Sequence, residues 1–236
     1  MEIKGVIDLS FVDWDEKISS VLFLPSCNFR CPYCHNVSLV LHPETEETTP
    51  FERVEEYLKK HRTWIDGVCI TGGEPTLHGD LPDLCSKLKE AGFLVKLDTN
   101  GTNPMMVKAL LEIGLVDYVA MDIKAPLMVE KYSEAIGVNA DKFLENVKET
   151  VRILLASKID YEFRTTVVPT LHEDNDIEEI CRSIKGCKKY VLQKFDVSVG
   201  KETLDSDFSM LKSFTDKEME LFLTAAQKLL PNVKLR

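Results

Sequence analysis

Three cysteines stand within eight residues of "PSCNFRCPYCHN": Cys27, Cys31 and Cys34, spaced C-x3-C-x2-C. Thiols this close in a reducing compartment are suited to a metal centre or an iron–sulfur cluster. Four thiolates would complete a tetrahedral zinc site or ligate every iron of a four-iron cluster. No second C-x2-C follows. Cys69, Cys85, Cys181 and Cys187 stand singly, the first three at apolar positions where a thiol serves as a small buried hydrophobe. Cys187 sits in a turn after Gly186 and carries no assignable role. Three protein ligands leave one metal atom open, which a catalytic centre needs and a structural one avoids. A zinc ion completed by His35 is the alternative, but adjacent Cys34 and His35 would bind one ion awkwardly.

The rest of the composition narrows the class. The chain has 236 residues, 44% of them hydrophobic, enough for a substantial core. No run approaches the roughly 20 apolar residues needed to cross a bilayer. The opening "MEIKGVIDLSFVDWDEK" is too acidic and interrupted for a signal peptide, so the expected location is cytoplasmic. An odd count of seven cysteines argues against a disulfide framework. A net charge of −10 disfavours nucleic acid and anionic membranes as partners.

Six β-then-α units account for the spacing of apolar runs. "SSVLFLP", "GVCIT", "LVKLDT", "DYVAMDI", "YEFRTTVV" and "YVLQKF" read as strands, each followed by an amphipathic helix. Thr49, Pro50 and Glu52 predict one helix start, Asn103 and Pro104 another, and Thr215 with Glu218 a capping box on the last. One helix is expected over roughly Asn139 to Ser157. The fold class that follows is α/β, an incomplete (β/α)6 TIM-like barrel forming a single domain over 1–236. Its core runs from about 17 to 196, and a connector and helix occupy about 197–236. The unusual polar residues fall at the carboxyl ends of these strands, where α/β folds build active sites. Cys27–Cys34 follow the first strand, "GGEPT" (Gly72 to Thr76) the second and "DTNG" (Asp98 to Gly101) the third. "DIK" (Asp122 to Lys124) ends the fourth, Arg164 lies in the fifth, and Gln193 and Lys194 lie near the end of the sixth.

"CNFRCPYCHN" resembles the signature loop of the radical S-adenosylmethionine (radical SAM) enzymes. GGEP begins 38 residues after Cys34, and "LSFVDW", "DTNG", "DIKAP" and "VVPT" extend the similarity over nearly the whole chain. It is nearest to activating enzymes of glycyl-radical enzymes, above all the short, single-cluster activators of anaerobic ribonucleotide reductase. The resemblance implies a [4Fe-4S] cluster on Cys27, Cys31 and Cys34, with S-adenosylmethionine chelated at the open iron. Gly72 and Gly73 would allow close backbone approach to that ligand, and Glu74 would meet its ammonium group. Lys124 would pair with its carboxylate, and Asp98 or Asn100 would reach the ribose. Tyr33 and His35 would pack on the adenine, with Arg164 and Gln193 as further cofactor residues. Asp98, Thr99 and Asp122 match positions that hold a monovalent cation in pyruvate formate-lyase activators.

The implied reaction is reductive cleavage of S-adenosylmethionine, fed by a flavodoxin- or ferredoxin-type donor. The resulting 5′-deoxyadenosyl radical would take a hydrogen from a backbone glycine of the partner. Only 33 residues separate Cys34 from Val68, too few for the cysteine-rich insert of larger activators. Asp15 and Glu16 replace the Pro-Gly usual after the opening motif, and "LQKF" lacks a histidine that some relatives carry. Two other readings are a radical SAM enzyme acting on a small molecule, of the carboxydeazaguanine-synthase kind, and an iron–sulfur carrier. A carrier does not need GGEP, DTNG and DIK on successive strands. His42, His61, His78 and His172 are expected in loops or at the surface, Met105–Met106 in helix packing, and Lys201 to Ser213 on a docking surface.

Overall fold

The computed structural model describes residues 1–196 and 202–236 of an α/β protein whose eight strands follow chain order in one sheet. The chain divides into two compact units.

The first unit comprises residues 1–28, 38–99 and 105–120. It holds β1 (Gly5–Ser10), β2 (Ser19–Leu24), α1 (Val37–Leu41), α2 (Phe51–Lys60), β3 (Gly67–Gly72), α3 (Leu81–Glu90), β4 (Leu94–Thr99), α4 (Pro104–Glu112) and the start of β5 (Tyr118–Asp122). β2, β3 and β4 are parallel, and Val21, Cys69 and Lys96 lie in one row across them. Leu22, Ile70, Leu97 and Val95 are wholly buried, as apolar strands covered on both faces require. β1 is an added, antiparallel strand that the sequence did not announce, because Ile7 and Leu9 are exposed and blur its alternation. Thr49 does not cap α2. Its N–H donates to the Ile3 carbonyl (2.7 Å), which holds it extended, and Pro50 becomes the cap residue.

The second unit comprises residues 29–37, 100–104 and 121–236. After the end of β5 come α5 (Val129–Ile136), α6 (Leu144–Ala156), β6 (Asp160–Val167), α7 (Asp174–Ser183), β7 (Tyr190–Lys194), α8 (Ser206–Ser209), α9 (Asp216–Gln227) and β8 (Val233–Leu235). β6, β7 and β8 are parallel. The helix expected over 139–157 starts later. The Asn139 side chain accepts from Asp141 N–H (2.9 Å) and makes a separate 3-10 turn before Leu144. The capping box of Thr215 and Glu218 forms on α9 as expected. β8 is too short to register in a periodicity reading, yet Glu162, 1% exposed, pairs with Lys189 (2.7 Å) and with Arg236 (3.1 Å) just beyond it.

Candidate functional site

In the first unit the cysteine loop leaves β2 through Pro25 and Ser26. Gly73 N–H donates to the Leu24 carbonyl and Glu74 N–H to the Ser26 carbonyl, each at 2.8 Å. A Cβ at Gly72, whose φ is +114°, would fall 2.4 Å from the Leu24 oxygen, and one at Gly73 1.8 Å from the Ser26 oxygen. At both glycines the chain's own backbone comes close, at the base of the cysteine loop. His78 also belongs here, its Nε2 bonded to the Pro25 carbonyl at 2.8 Å.

Glu74 is 1% exposed and caps the turn Pro75–Leu77. Its Oε1 accepts from Thr76 N–H (3.0 Å), Thr76 Oγ1 (2.5 Å) and Thr99 Oγ1 (2.7 Å). Thr76 was not singled out from sequence, although a threonine two residues after a cap is a familiar partner. Asp98 pairs with Lys96, a side chain 1% exposed in the middle of β4. Burial, with Asp98 adding to it, pushes the nearby Cys69 thiol up to about 12.

In the second unit Cys34 N–H donates to the Cys31 carbonyl (3.0 Å) and closes the loop's turn. Arg30 N–H is held by the Ile136 carbonyl (2.8 Å), Leu204 N–H by the Cys34 carbonyl (3.0 Å) and Asp205 N–H by the Pro32 carbonyl (2.9 Å). The segment read as a polar connector thus bonds to the cysteine loop through Leu204 and Asp205. Val197 to Lys201 lie outside the described residues. His35 stacks on Phe195 (centroids 5.6 Å apart, planes 9° apart), and Tyr33 meets the same ring edge-on at 6.2 Å. Phe195 thus orients both aromatic candidates. Its only signal in sequence is its place just after a strand. The Tyr33 hydroxyl is buried with no hydrogen-bond partner among the described residues. Burial, only partly offset by Lys124, raises its pKa well above the usual phenol value.

At the end of β5, Asp122 accepts from Lys124 Nζ (2.8 Å) on one oxygen and from Arg164 Nε (2.9 Å) on the other. Burial opposes its charge, but Arg164 and Lys124 outweigh that and hold the carboxyl well below its ordinary range. Burial likewise opposes the Lys124 charge, and Asp122 more than restores it. Asn100 is drawn into a turn of its own, its Oδ1 accepting from Thr102 N–H (3.0 Å) and Oγ1 (2.7 Å). Gln193 is half-buried near the end of β7, opposite Thr166 of β6. His172 is not at the surface. It is 2% exposed and bonded at both ring nitrogens.

Of the residues matched to a monovalent cation, Asp98 pairs with Lys96, Asp122 with Lys124 and Arg164, and the Thr99 hydroxyl with Glu74. Among the described residues no three or more His, Cys, Asp or Glu side chains are gathered to hold a metal ion.

Residues 21–184 match the Radical SAM superfamily. The chain belongs to that family. A Methanocaldococcus jannaschii protein named "putative glycyl-radical enzyme activating enzyme" is 34% identical over 99% of this chain and 95% of its own length. The pyruvate formate-lyase-activating enzyme of Streptococcus mutans is 28% identical over 76% of this chain and 70% of its own. Among solved structures, Streptococcus suis SuiB bound to precursor peptide SuiA superimposes with a TM-score of 0.66 at 16% identity over 92% of this chain. The chain spans about half of SuiB, 48% of its length. TYW1 with a lysine-pyruvate adduct gives 0.65 at 18% identity, covering 90% of this chain and 74% of its own.

Radical SAM membership implies a [4Fe-4S] cluster and S-adenosylmethionine. The donor set fits a cluster. None of the seven thiols is in a disulfide, and Cys27 and Cys34 are half-buried, whereas burial pushes the Cys85 and Cys181 thiols up to about 12 and Cys187 to about 11. The orphaned Tyr33 hydroxyl beside Cys31 and Lys124 suits a bound group too. No helix among the described residues is long and apolar enough to cross a membrane.

Proposed function

We propose that this radical SAM enzyme activates a glycyl-radical enzyme, most specifically an anaerobic ribonucleotide reductase. The observation that carries the reading is the 34% identity, over nearly the full length of both chains, to a protein bearing an activating-enzyme name. The likeness to a pyruvate formate-lyase activator supports it. Cys27, Cys31 and Cys34 hold the cluster. From the first unit Gly72, Gly73, Glu74 and Asp98 serve the cofactor, the glycines by fixing the loop beneath it. From the second unit Tyr33, His35, Asn100, Asp122, Lys124, Arg164 and Gln193 serve it, Lys124 by pairing with the methionine carboxylate. When bound, cluster and S-adenosylmethionine together supply a 5′-deoxyadenosyl radical that takes a hydrogen atom from a backbone glycine. The electron comes from a flavodoxin- or ferredoxin-type donor, and the setting is the cytoplasm, where thiols stay reduced.

The deciding experiment is anaerobic reconstitution with iron and sulfide, then reductant, S-adenosylmethionine and a candidate glycyl-radical subunit. A stable organic radical with a doublet from the glycine α-hydrogen is expected. Cys31→Ala should abolish it and strip most of the iron, while Cys85→Ala keeps both. Failure on every candidate subunit, with a small molecule accelerating 5′-deoxyadenosine release, would replace the activator reading by a metabolite one.

A further inference from the structure

His172 fell outside every motif in the sequence, yet it is among the most enclosed polar side chains of the second unit. It closes the turn after β6. Leu171 and His172 N–H groups both donate to the Val168 carbonyl (3.2 and 3.1 Å), and Thr170 adopts φ +75°, a conformation that threonine pays strain to hold. The ring completes the turn, because Val168 N–H donates to its Nδ1 at 3.0 Å. With Nδ1 an acceptor, the proton of the neutral ring sits on Nε2, which lies 2.9 Å from the Lys124 carbonyl and donates to it. The ring therefore bridges the loop after β6 to the loop after β5.

The other bonds at the end of β5 show what that bridge completes. Ile123 N–H donates to the Arg164 carbonyl (2.8 Å), and Thr165 Oγ1 donates to the Ile123 carbonyl (2.8 Å). The Asp122 carboxylate is clamped by Arg164 and Lys124. Residues 122 and 123 are thus tied to β6, and Lys124 is tied one residue further along by the imidazole. From this geometry we infer that His172 is a positioning residue, which fixes the Lys124 backbone so that its ammonium is presented to the carboxylate of S-adenosylmethionine. The inference rests on the cofactor role proposed for Lys124.

The bridge works only while the ring is neutral. A proton on Nδ1 would face the Val168 N–H and turn an acceptor into a donor. The charged neighbours are mixed: Lys131 of α5 opposes protonation, Asp176 of α7 favours it, and Lys124 offers the ring its carbonyl. Burial dominates and lowers the ring's pKa below its ordinary value. The sign follows. The neutral bridge survives below the ring's ordinary value of about 6.5 and is lost only as pH falls through the depressed folded value.

The test is calorimetric titration of S-adenosylmethionine into the anaerobically reconstituted protein from about pH 8 to about pH 4.5, with iron content and thermal unfolding recorded at each pH. Wild type should keep its affinity through about pH 6.5 and bind more weakly only as pH falls through the depressed value of the ring. His172→Ala should keep its iron and bind about tenfold more weakly at pH 8. His172→Gln offers an amide donor and acceptor without a proton to gain. It should recover most of that affinity and remove its pH dependence over this range. His172→Ala combined with Lys124→Ala should bind no more weakly than Lys124→Ala alone, as required of a residue acting through Lys124. Additive losses in the double variant, or an unchanged pH profile in His172→Gln, would overturn the inference. If His172→Ala does not fold, the Gln variant decides. Wild type that holds its iron but binds no S-adenosylmethionine at any pH would instead overturn the cofactor reading itself.

Discussion

Glu74 at the end of β3 and Asp122 at the end of β5 are anions in comparable positions of their two units, and they are secured by opposite means. On Oε1 Glu74 accepts from dipoles: one backbone amide and the hydroxyls of Thr76 and Thr99. Asp122 is gripped by full charges, one on each oxygen. Dipoles fix where a carboxylate points without cancelling its charge. An ammonium and a guanidinium cancel the charge and come to depend on it in turn. The donors on Glu74 Oε1 set where its carboxylate points, Asp122 balances two cations, and substitutions that look alike should behave differently.

The largest effect is expected at Asp122. Asp122→Asn leaves Lys124 and Arg164 without their shared counter-ion in a largely enclosed setting. Losing one partner of such a group costs about 3 kcal/mol, or roughly 10 °C in Tm for a chain of this size. A pH arm sharpens the point. Because the folded carboxyl is depressed, its contribution is complete above the ordinary value of about 3.9 and lost as pH falls below it. Thermal unfolding between about pH 5 and 2.5 should show wild type losing stability that Asp122→Asn has already lost. Parallel curves would mean that the pair is not what holds this region.

The matching change at Glu74 should spare the fold. Glu74→Gln keeps an oxygen for the three donors and removes only the charge. Stability should stay within about 1 kcal/mol of wild type. Affinity for S-adenosylmethionine should fall about tenfold, the loss of one charge-assisted contact to its ammonium. A stability loss as large as that of Asp122→Asn would erase the distinction between the two anions.

How far the sequence exposed this depended on the kind of interaction. The strand-end motifs were legible because apolar runs and the residues after them are local patterns. The parallel order of β2, β3 and β4 followed from them. β1 and β8 were not, one because its apolar residues face outward and the other because three residues carry no period. The partners inside the site were harder still. Thr76 is two residues from Glu74 and could have been found as a cap. Phe195 against His35, Leu204 against the cysteine loop and His172 against Lys124 join residues 48 or more apart in sequence. Only the folded backbone puts them together. The glycines taught a related lesson. Their need for space was visible, but what fills it, the chain's own Leu24 and Ser26, was not.

The smallest effect is expected at Thr99, and it separates two uses of one hydroxyl. Thr99 is 3% exposed, and its Oγ1 donates to Glu74 at 2.7 Å. Thr99→Val deletes that donor while keeping the shape, so the buried carboxylate loses one of its dipoles at a cost of about 1 kcal/mol. Thr99→Ser restores the donor and should recover most of the loss. Combined with Glu74→Gln, the valine should cost less than it does alone, because a neutral amide oxygen is a weaker acceptor than a carboxylate. The competing role, a ligand to a monovalent cation, predicts something else. Thr99→Val would then leave stability in cation-free buffer unchanged and remove a difference between potassium and sodium in S-adenosylmethionine affinity. Unfolding in both salts, beside cofactor titration in both, tells the two apart. A stability loss of the same size in either salt assigns the hydroxyl to Glu74.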